Sequence, residues 1–201
     1  MLIAGSDEAG KGDYFGYIVV ACVACEEVII SKLDVRDSKK LSEKRIWRLE
    51  RDIKQGCIYS VTSISPKRYN QLHRDTGGKY NLNEILGWLH ARAINKVLTK
   101  CKPTRVTVDK FGDETNVLRN IKGAEIRFIT SGEVDPSVAA ASILARAEFL
   151  RKHESLSKRI GVKLPLGSAH VKDAAREVVE KHGMRGLAEV AKLHFRVTKR
   201  L

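Results

Sequence analysis

The sequence contains no apolar run approaching the roughly 18–20 residues that a membrane span requires, so a transmembrane helix is excluded. Met1 leads within a few residues into a strand-like segment. That leaves no room for a secretory signal peptide, and a cytoplasmic location is the default expectation. No internal repeat, low-complexity tract or Ser/Gly-rich linker divides the 201 residues. The expectation is therefore a single domain spanning 1–201, long enough to bury a real core. Nor is there a phosphate-cradling loop of the P-loop kind, which a phosphatase or polymerase-like site should show. Cysteine is scarce, at four residues: Cys22, Cys25, Cys57 and Cys101. Cys22 and Cys25 form a CxxC, but inside the apolar run Ile18 to Cys25, which reads as a buried strand. A zinc site would need a second ligand pair and a redox CxxC usually opens a helix, so buried free thiols are expected.

Positive charge is what the sequence has in excess. Against 24 Asp and Glu stand 37 Lys and Arg, a formal net charge of +13. Such a surplus favours polyanions, because each phosphate contact releases condensed counterions. The hydrophobic fraction of 43% and charged fraction of 30% are those of an ordinary water-soluble globular chain.

Five segments read as strands: Leu2–Ser6, Tyr17–Cys25, Cys57–Ile64, Arg105–Val108 and Glu125–Thr130. Each is rich in β-branched or aromatic residues and bounded by turn or polar residues. The first three suit an antiparallel meander, whereas the last two, separated by a helical segment, suit parallel pairing. Helical patterns fill the rest. Glu43–Lys54 follows Ser42 as N-cap, and Pro66 takes a first helical position after Ser65. In Leu82–Lys100, the residues Leu82, Ile85, Leu86, Leu89, Ala93 and Val97 recur at helical spacing. Another helix starts at Asp135-Pro136, and Val171–His182, ended by Gly183, precedes a short last helix, Leu187–His194. The fold class is α/β, with helices gathered towards the C-terminus from about residue 150.

The strongest local signal is Gly5-Ser6-Asp7-Glu8-Ala9-Gly10-Lys11-Gly12, two adjacent acids at the end of the first strand followed by a glycine-rich turn. Adjacent strand residues point to opposite faces, so one carboxylate can lie over the sheet while the other reaches sideways, unless the strand ends between them. Asp109 ends the strand Val106-Thr107-Val108, and Glu133 follows the strand ending at Ile129-Thr130. Three strands thus deliver carboxylates to their C-terminal ends, the usual ligand edge of an α/β sheet. Four hard oxygen ligands there suit two Mg²⁺ or Mn²⁺ ions. Asp135 competes with Glu133 for the fourth position, but its place before Pro136 gives it a capping role.

Several motifs together resemble a known family. Gly5 to Gly16 is similar to the opening motif of ribonuclease HIII, and Asp37-Ser38-Lys39-Lys40-Leu41 resembles a segment shared by ribonucleases HII and HIII. Asn81-Leu82-Asn83, Val108-Asp109, Val138 to Arg146 and Val190 to Phe195 follow in the family's order. The resemblance, to the type 2 ribonuclease H group, covers nearly the whole chain. It implies a ribonuclease H-like fold, a mixed five-stranded sheet flanked by helices. It also implies a metal-dependent hydrolysis of the RNA strand of RNA/DNA hybrids that leaves 5′-phosphate and 3′-hydroxyl ends.

By that resemblance Asp7, Glu8, Asp109 and Glu133 match a four-acid site for two metal ions, with Asp7 bridging both. Glu133 sits one residue nearer the helix than the family pattern, which keeps Asp135 open. Gly10, Lys11 and Gly12 match the loop that reads the 2′-hydroxyl, the group that distinguishes RNA from DNA. Ser38, Lys39 and Lys40 are candidate phosphate contacts, Asn81 and Asn83 candidate contacts to the DNA strand (with helix capping as the alternative for both), and Ser142 a further substrate contact. His170, His182 and His194 lack acids at ligand spacing and are expected to be non-catalytic. The stretch Leu164 to Ala169 lacks the tyrosine with which ribonuclease HII senses a junction, favouring cleavage of ribonucleotide runs over single embedded ribonucleotides. Ribonuclease HIII normally carries a further N-terminal substrate-binding domain; here hybrid affinity is expected to rest on the basic catalytic domain, acting as a monomer. The rival from another class is a non-catalytic basic nucleic-acid-binding module.

Overall fold

A computed structural model describes residues 1–33, 35, 41–121, 123–130 and 132–201, with Glu133 described by its backbone alone. Among them, five strands form one sheet: β1 (Leu2–Ala9), β2 (Ile18–Glu26), β3 (Ile58–Ile64), β4 (Arg105–Asp109) and β5 (Ile126–Ile129), in the order β3-β2-β1-β4-β5. β1, β2 and β3 pair antiparallel as a meander, while β4 joins β1 and β5 joins β4 in parallel. The sheet is thus mixed and five-stranded, as the strand patterns predict.

The helices are α1 (Glu27–Ile30), α2 (Glu43–Gly56), α3 (Pro66–Leu72), α4 (Leu82–Leu98), α5 (Thr115–Leu118), α6 (Pro136–Ile160) and α7 (Lys172–Val190). Their starts follow local chemistry. Ser42 and Ser65 accept from the backbone N–H groups of Arg45 and Arg68, and Pro66 occupies the first turn of α3. Asn81 and Glu84 form a reciprocal capping box on α4.

Two apolar layers sandwich the sheet. On one face Ile3, Val19, Ala21 and Val23 pack with Ile46, Leu49 and Ile53 of α2 and with Ala140, Ile143 and Leu144 of α6. On the other, Ala4, Val20, Cys22, Val106 and Val108 pack with Leu86, Leu89, Ile94 and Val97 of α4. Of the nine residues of β2 only the last, Glu26, is not buried, which explains its unbroken apolar run. Gly5 lets β1 lie directly on α6, since a Cβ there would sit 2.2 Å from the Val138 nitrogen. A third cluster joins Tyr14 and Phe15 to Leu156, Leu164, Val178, Leu187 and Val190.

Three expectations need correction. β1 does not stop at Ser6: its pairing with β2 continues through Asp7 with Ala21, Glu8 with Val20 and Ala9 with Val19. The segment Leu187–His194 is not a helix throughout. The helix ends at Val190, because Ala191 turns extended and bridges to Phe15, and the chain crosses Gly183 in a non-helical conformation (φ 66°, ψ −176°). Cys25 is not a free thiol but is disulfide-bonded to Cys57, with the Cα atoms 4.8 Å apart. The register pairing Ala24 with Ile58 brings these two cysteines opposite one another, a proximity that the CxxC spacing does not reveal. Cys22 and Cys101 are free.

Candidate active site

Because β1 continues through both acids, Asp7 and Glu8 leave it on opposite faces of the sheet. Asp7 lies on the α6 face with Ile3 and Gly5. Asp109 is its neighbour there, since the parallel register pairs Ser6 with Val108 one residue earlier. Asp7 Oδ1 accepts from the Glu8 backbone N–H at 2.7 Å, and the Ser142 side chain on α6 hydrogen-bonds to the same carboxyl. Burial, reinforced by the charges of Glu8 and Asp109, raises the Asp7 carboxyl well above the usual aspartate range. Asp109 Oδ1 accepts from the Gly132 N–H at 2.9 Å. Gly132 must be glycine, because a Cβ would lie 2.8 Å from that same oxygen.

Glu8 emerges on the α4 face, its side chain 2% exposed. Oε2 lies 3.0 Å from His90 Nε2 and Oε1 lies 2.5 Å from Lys11 Nζ. Burial works to raise this carboxyl, but the hydrogen bond and charge of His90, joined by Lys11, outweigh it and hold it down at about 2. Lys11 is correspondingly raised by Glu8, Asp7 and Asp109, against the effect of its own partial burial.

The other expected residues divide clearly. Asp135 is taken up by structure: Oδ1 accepts from Ser137 N (2.9 Å), Ser137 Oγ (2.5 Å) and Val138 N (3.4 Å), while Oδ2 accepts from Thr107 Oγ1 at 3.1 Å. Glu133 lies in the single 3₁₀ turn Gly132–Val134 that follows β5. Asn81 Oδ1 is used by the cap, and Asn83 packs against the backbone of Gly112. Ser38, Lys39 and Lys40 lie outside the described residues. His182 Nε2 lies 2.8 Å from the Ile160 carbonyl oxygen, and His194 packs at tilted ring angles among Tyr69, His73 and Phe195.

The turn after β1 is fastened by the C-terminal part of the chain. Gly10 adopts φ 89°, and Lys11 and Gly12 are exposed. Beyond them Asp13 Oδ1 accepts from Gly167 N at 2.7 Å, Gly16 N donates to the Val190 carbonyl at 2.9 Å, and Lys192 Nζ donates to the Gly16 carbonyl at 2.9 Å. Lys192 is fully buried, which lowers its ammonium group to about 7. The sequence reading missed His90 and Lys192. His90 shares the apolar stripe of α4, so periodicity assigns it to the core; Lys192 lies inside the family-like segment Val190 to Phe195, where nothing local marks a lysine as buried.

Among the described residues, no three His, Cys, Asp or Glu groups close on one another tightly enough to hold a metal ion. The Asp7–Asp109 pair still fits a divalent cation. Its oxygens are hard, and mutual repulsion and burial make one of the two costly to ionise without a neighbouring positive charge.

The sequence model of the family described as Ribonuclease HII matches residues 4–198. Ribonuclease HIII of Protochlamydia amoebophila is 40% identical over 96% of this chain and 65% of its own length. That of Bacillus licheniformis is 34% identical over 100% and 67%. The chain thus spans about two thirds of these relatives. Among solved structures, Bst-RNase HIII in complex with Mn²⁺ superposes with a TM-score of 0.91 at 33% identity, covering 100% of this chain and 68% of that one. Aquifex aeolicus RNase H3 superposes with a TM-score of 0.78 at 33% identity, covering 96% and 72%. With the ribonuclease HII model matched nearly end to end and ribonucleases HIII among its relatives, the chain belongs to the ribonuclease HII/HIII family, the type 2 ribonucleases H.

Proposed function

We propose that this chain is a divalent-metal-dependent endoribonuclease that hydrolyses the RNA strand of RNA/DNA hybrids, leaving 5′-phosphate and 3′-hydroxyl ends. The observation that carries the reading is the placing of Asp7 beside Asp109 at the C-terminal edge of two parallel strands, next to a turn whose Lys11 and Gly12 are exposed. A basic chain of net charge +13 and membership of the family support it.

Asp7 and Asp109 would hold the cation, with Glu8 beside them and Glu133 as the fourth acid. Asp135 is the weaker candidate for that position because its carboxylate is committed to the α6 cap. Two Mg²⁺ or Mn²⁺ ions held there would supply an activated water and neutralise charge on the leaving oxygen. The chain's own groups do the rest. Ser142 and the Glu8 N–H orient the Asp7 carboxyl. The Gly132 N–H orients that of Asp109. Lys11, at the mouth of the acid cluster, brings positive charge to the phosphates. Backbone groups of Gly10 to Gly12 would read the 2′-hydroxyl, Asn83 and the amide nitrogen of Asn81 would donate to the DNA strand, and Ser38, Lys39 and Lys40 would contact phosphates.

The protein acts as a cytoplasmic monomer; no helix among the described residues is long and apolar enough to cross a membrane. Runs of ribonucleotides are preferred to single embedded ones, since Leu164 to Ala169 contains no tyrosine. The test uses four labelled duplexes (hybrid, single-ribonucleotide, all-DNA, all-RNA) with Mg²⁺ or Mn²⁺, comparing wild type with Asp7→Asn. Hybrid cleavage lost in the variant, with the single-ribonucleotide duplex spared, is the expected result. Cutting beside the lone ribonucleotide would reassign the specificity, and no cleavage of any duplex by the folded protein would leave a nucleic-acid-binding module.

A further inference from the structure

Beneath Glu8 lies a run of buried polar groups that the proposed chemistry does not use. Ser6 and His90 both have no exposed surface, in a layer otherwise made of Leu86, Leu89, Val106 and Val108. Buried polar groups carry a desolvation cost unless each is hydrogen-bonded, so their partners are informative. Ser6 Oγ donates to the Ala21 carbonyl at 2.9 Å. A hydroxyl has one hydrogen, so towards His90 Nδ1, 2.8 Å away, Ser6 Oγ can only accept. Nδ1 therefore donates to Ser6, and Nε2, 3.0 Å from a carboxylate oxygen that can only accept, donates to Glu8 Oε2, so the ring carries a hydrogen on each nitrogen. Phe111 stacks on the imidazole with centroids 4.7 Å apart and planes 15° from parallel. The ring is thus held at both nitrogens and across one face.

We infer that His90, set by Ser6, is a positioning residue for Glu8, fixing Oε2 so that Oε1, paired with Lys11 Nζ at 2.5 Å, is the oxygen that a divalent cation would take in place of the ammonium. The inference rests on the proposed reading of the acid cluster as a cation site. Its physical basis is preorganisation. A glutamate has three side-chain torsions, and a free one loses their entropy when a cation captures it. A glutamate already anchored through Oε2 has lost that freedom on folding. Groups that orient metal ligands in this way typically contribute about 10–100-fold in affinity.

The experiment measures Mn²⁺ binding by calorimetry on the full chain without nucleic acid, for wild type, Asp7→Asn, His90→Gln and His90→Asn. Glutamine extends its amide to where Nε2 stands and can still donate to Glu8. Asparagine ends near Nδ1 and reaches only Ser6. Both variants keep a buried amide in the core, so a purely structural role for His90 would move them together. The expected result is Mn²⁺ affinity within a few-fold of wild type for His90→Gln and about 10–100-fold weaker for His90→Asn. Equal affinity in the two variants overturns the inference. So does weak binding by both when their metal-free melting temperatures match wild type. Should either variant fail to fold, Ser6→Ala, which frees Nδ1 and the ring with it, is expected to weaken Mn²⁺, and wild-type affinity in it would be refuting. Asp7→Asn separates the two readings: if it binds Mn²⁺ as wild type does, the cation site itself is wrong, whereas if it alone loses binding, only the positioning role fails.

Discussion

Adding one methyl group at Gly5 tests how tightly the acid-bearing strand is seated. The Cβ of Gly5→Ala would lie 2.2 Å from Val138 N, 2.3 Å from Ser137 C and 2.6 Å from Ser137 O, all backbone atoms of the first turn of α6. No side-chain rotation relieves contacts with backbone. An ordinary contact begins near 3.4 Å, so β1 and α6 must separate by roughly 1.2 Å. Overpacking of this kind costs about 1–3 kcal/mol, and rigid backbone on both sides argues for the upper end. In a chain of this size about 3 kcal/mol lowers the melting temperature by about 6–12 °C. Function should fall further than stability, because Asp7 is two residues away and Ser142, its partner, is on the displaced helix. Misplacing a reacting group by about 1 Å can cost about 100-fold in rate. The assay pairs thermal melting with hybrid cleavage per folded molecule. Gly12→Ala serves as the stability control, since nothing lies within 4 Å of its Cβ position. Melting within about 1 °C of wild type together with full cleavage in Gly5→Ala would refute the close seating of β1 on α6.

Asp135→Ala should cost about 1–2 kcal/mol through loss of the α6 cap. Asp135→Asn, which keeps the capping oxygen, should cleave hybrid within a few-fold of wild type; abolished cleavage in the asparagine variant would move Asp135 into the metal site. Lys192 is lowered from 10.5 to about 7 by burial. Between those two values the unfolded chain binds a proton that the folded chain does not, so the folded state gains stability as pH rises, and that gain is lost as pH falls towards 7. The contribution is at most about 1.4 kcal/mol per pH unit. Relative to Lys192→Met, wild type should therefore gain about 3–5 °C in melting temperature per unit from pH 7 to 10, and parallel melting curves across that range would contradict it. Thiol titration of the unfolded, unreduced protein should count two cysteines, Cys22 and Cys101, rising to four after reduction; four before reduction would dismiss the Cys25–Cys57 bond.

The sheet and the main helices were legible because their signals are local. Ser65-Pro66 and Asp135-Pro136 cap where they stand, and α4 shows its period over four turns. The acids at the ends of β1 and β4 were legible for the same reason. What escaped depends on pairing across the chain. The end of β1 is fixed by β2, which carries the ladder past Glu8 and so sends the two acids to opposite faces. The Cys25–Cys57 bond follows from β2–β3 register. His90 looks like one more core position until the strand beneath it is known to bring Ser6 and Glu8 within reach of its two nitrogens. Ala191 leaves the helical pattern because Phe15 offers it a strand partner.

The fastening of the Gly10–Gly16 turn bears on the order in which this protein folds. The bond from Lys192 to Gly16 joins residues 176 positions apart, and Tyr14 reaches Thr198 across 184. Synthesis proceeds from the N-terminus at roughly 5–20 residues per second. The strands bearing Asp7 and Asp109 can therefore pair before residues 167–198 have emerged from the ribosome. The long-range bonds that fasten the turn beside them form only after those residues emerge. A nascent chain would carry its acids before the bonds to Gly167, Val190, Lys192 and Thr198 set the turn against them, so the loop is ordered later than the strands it serves.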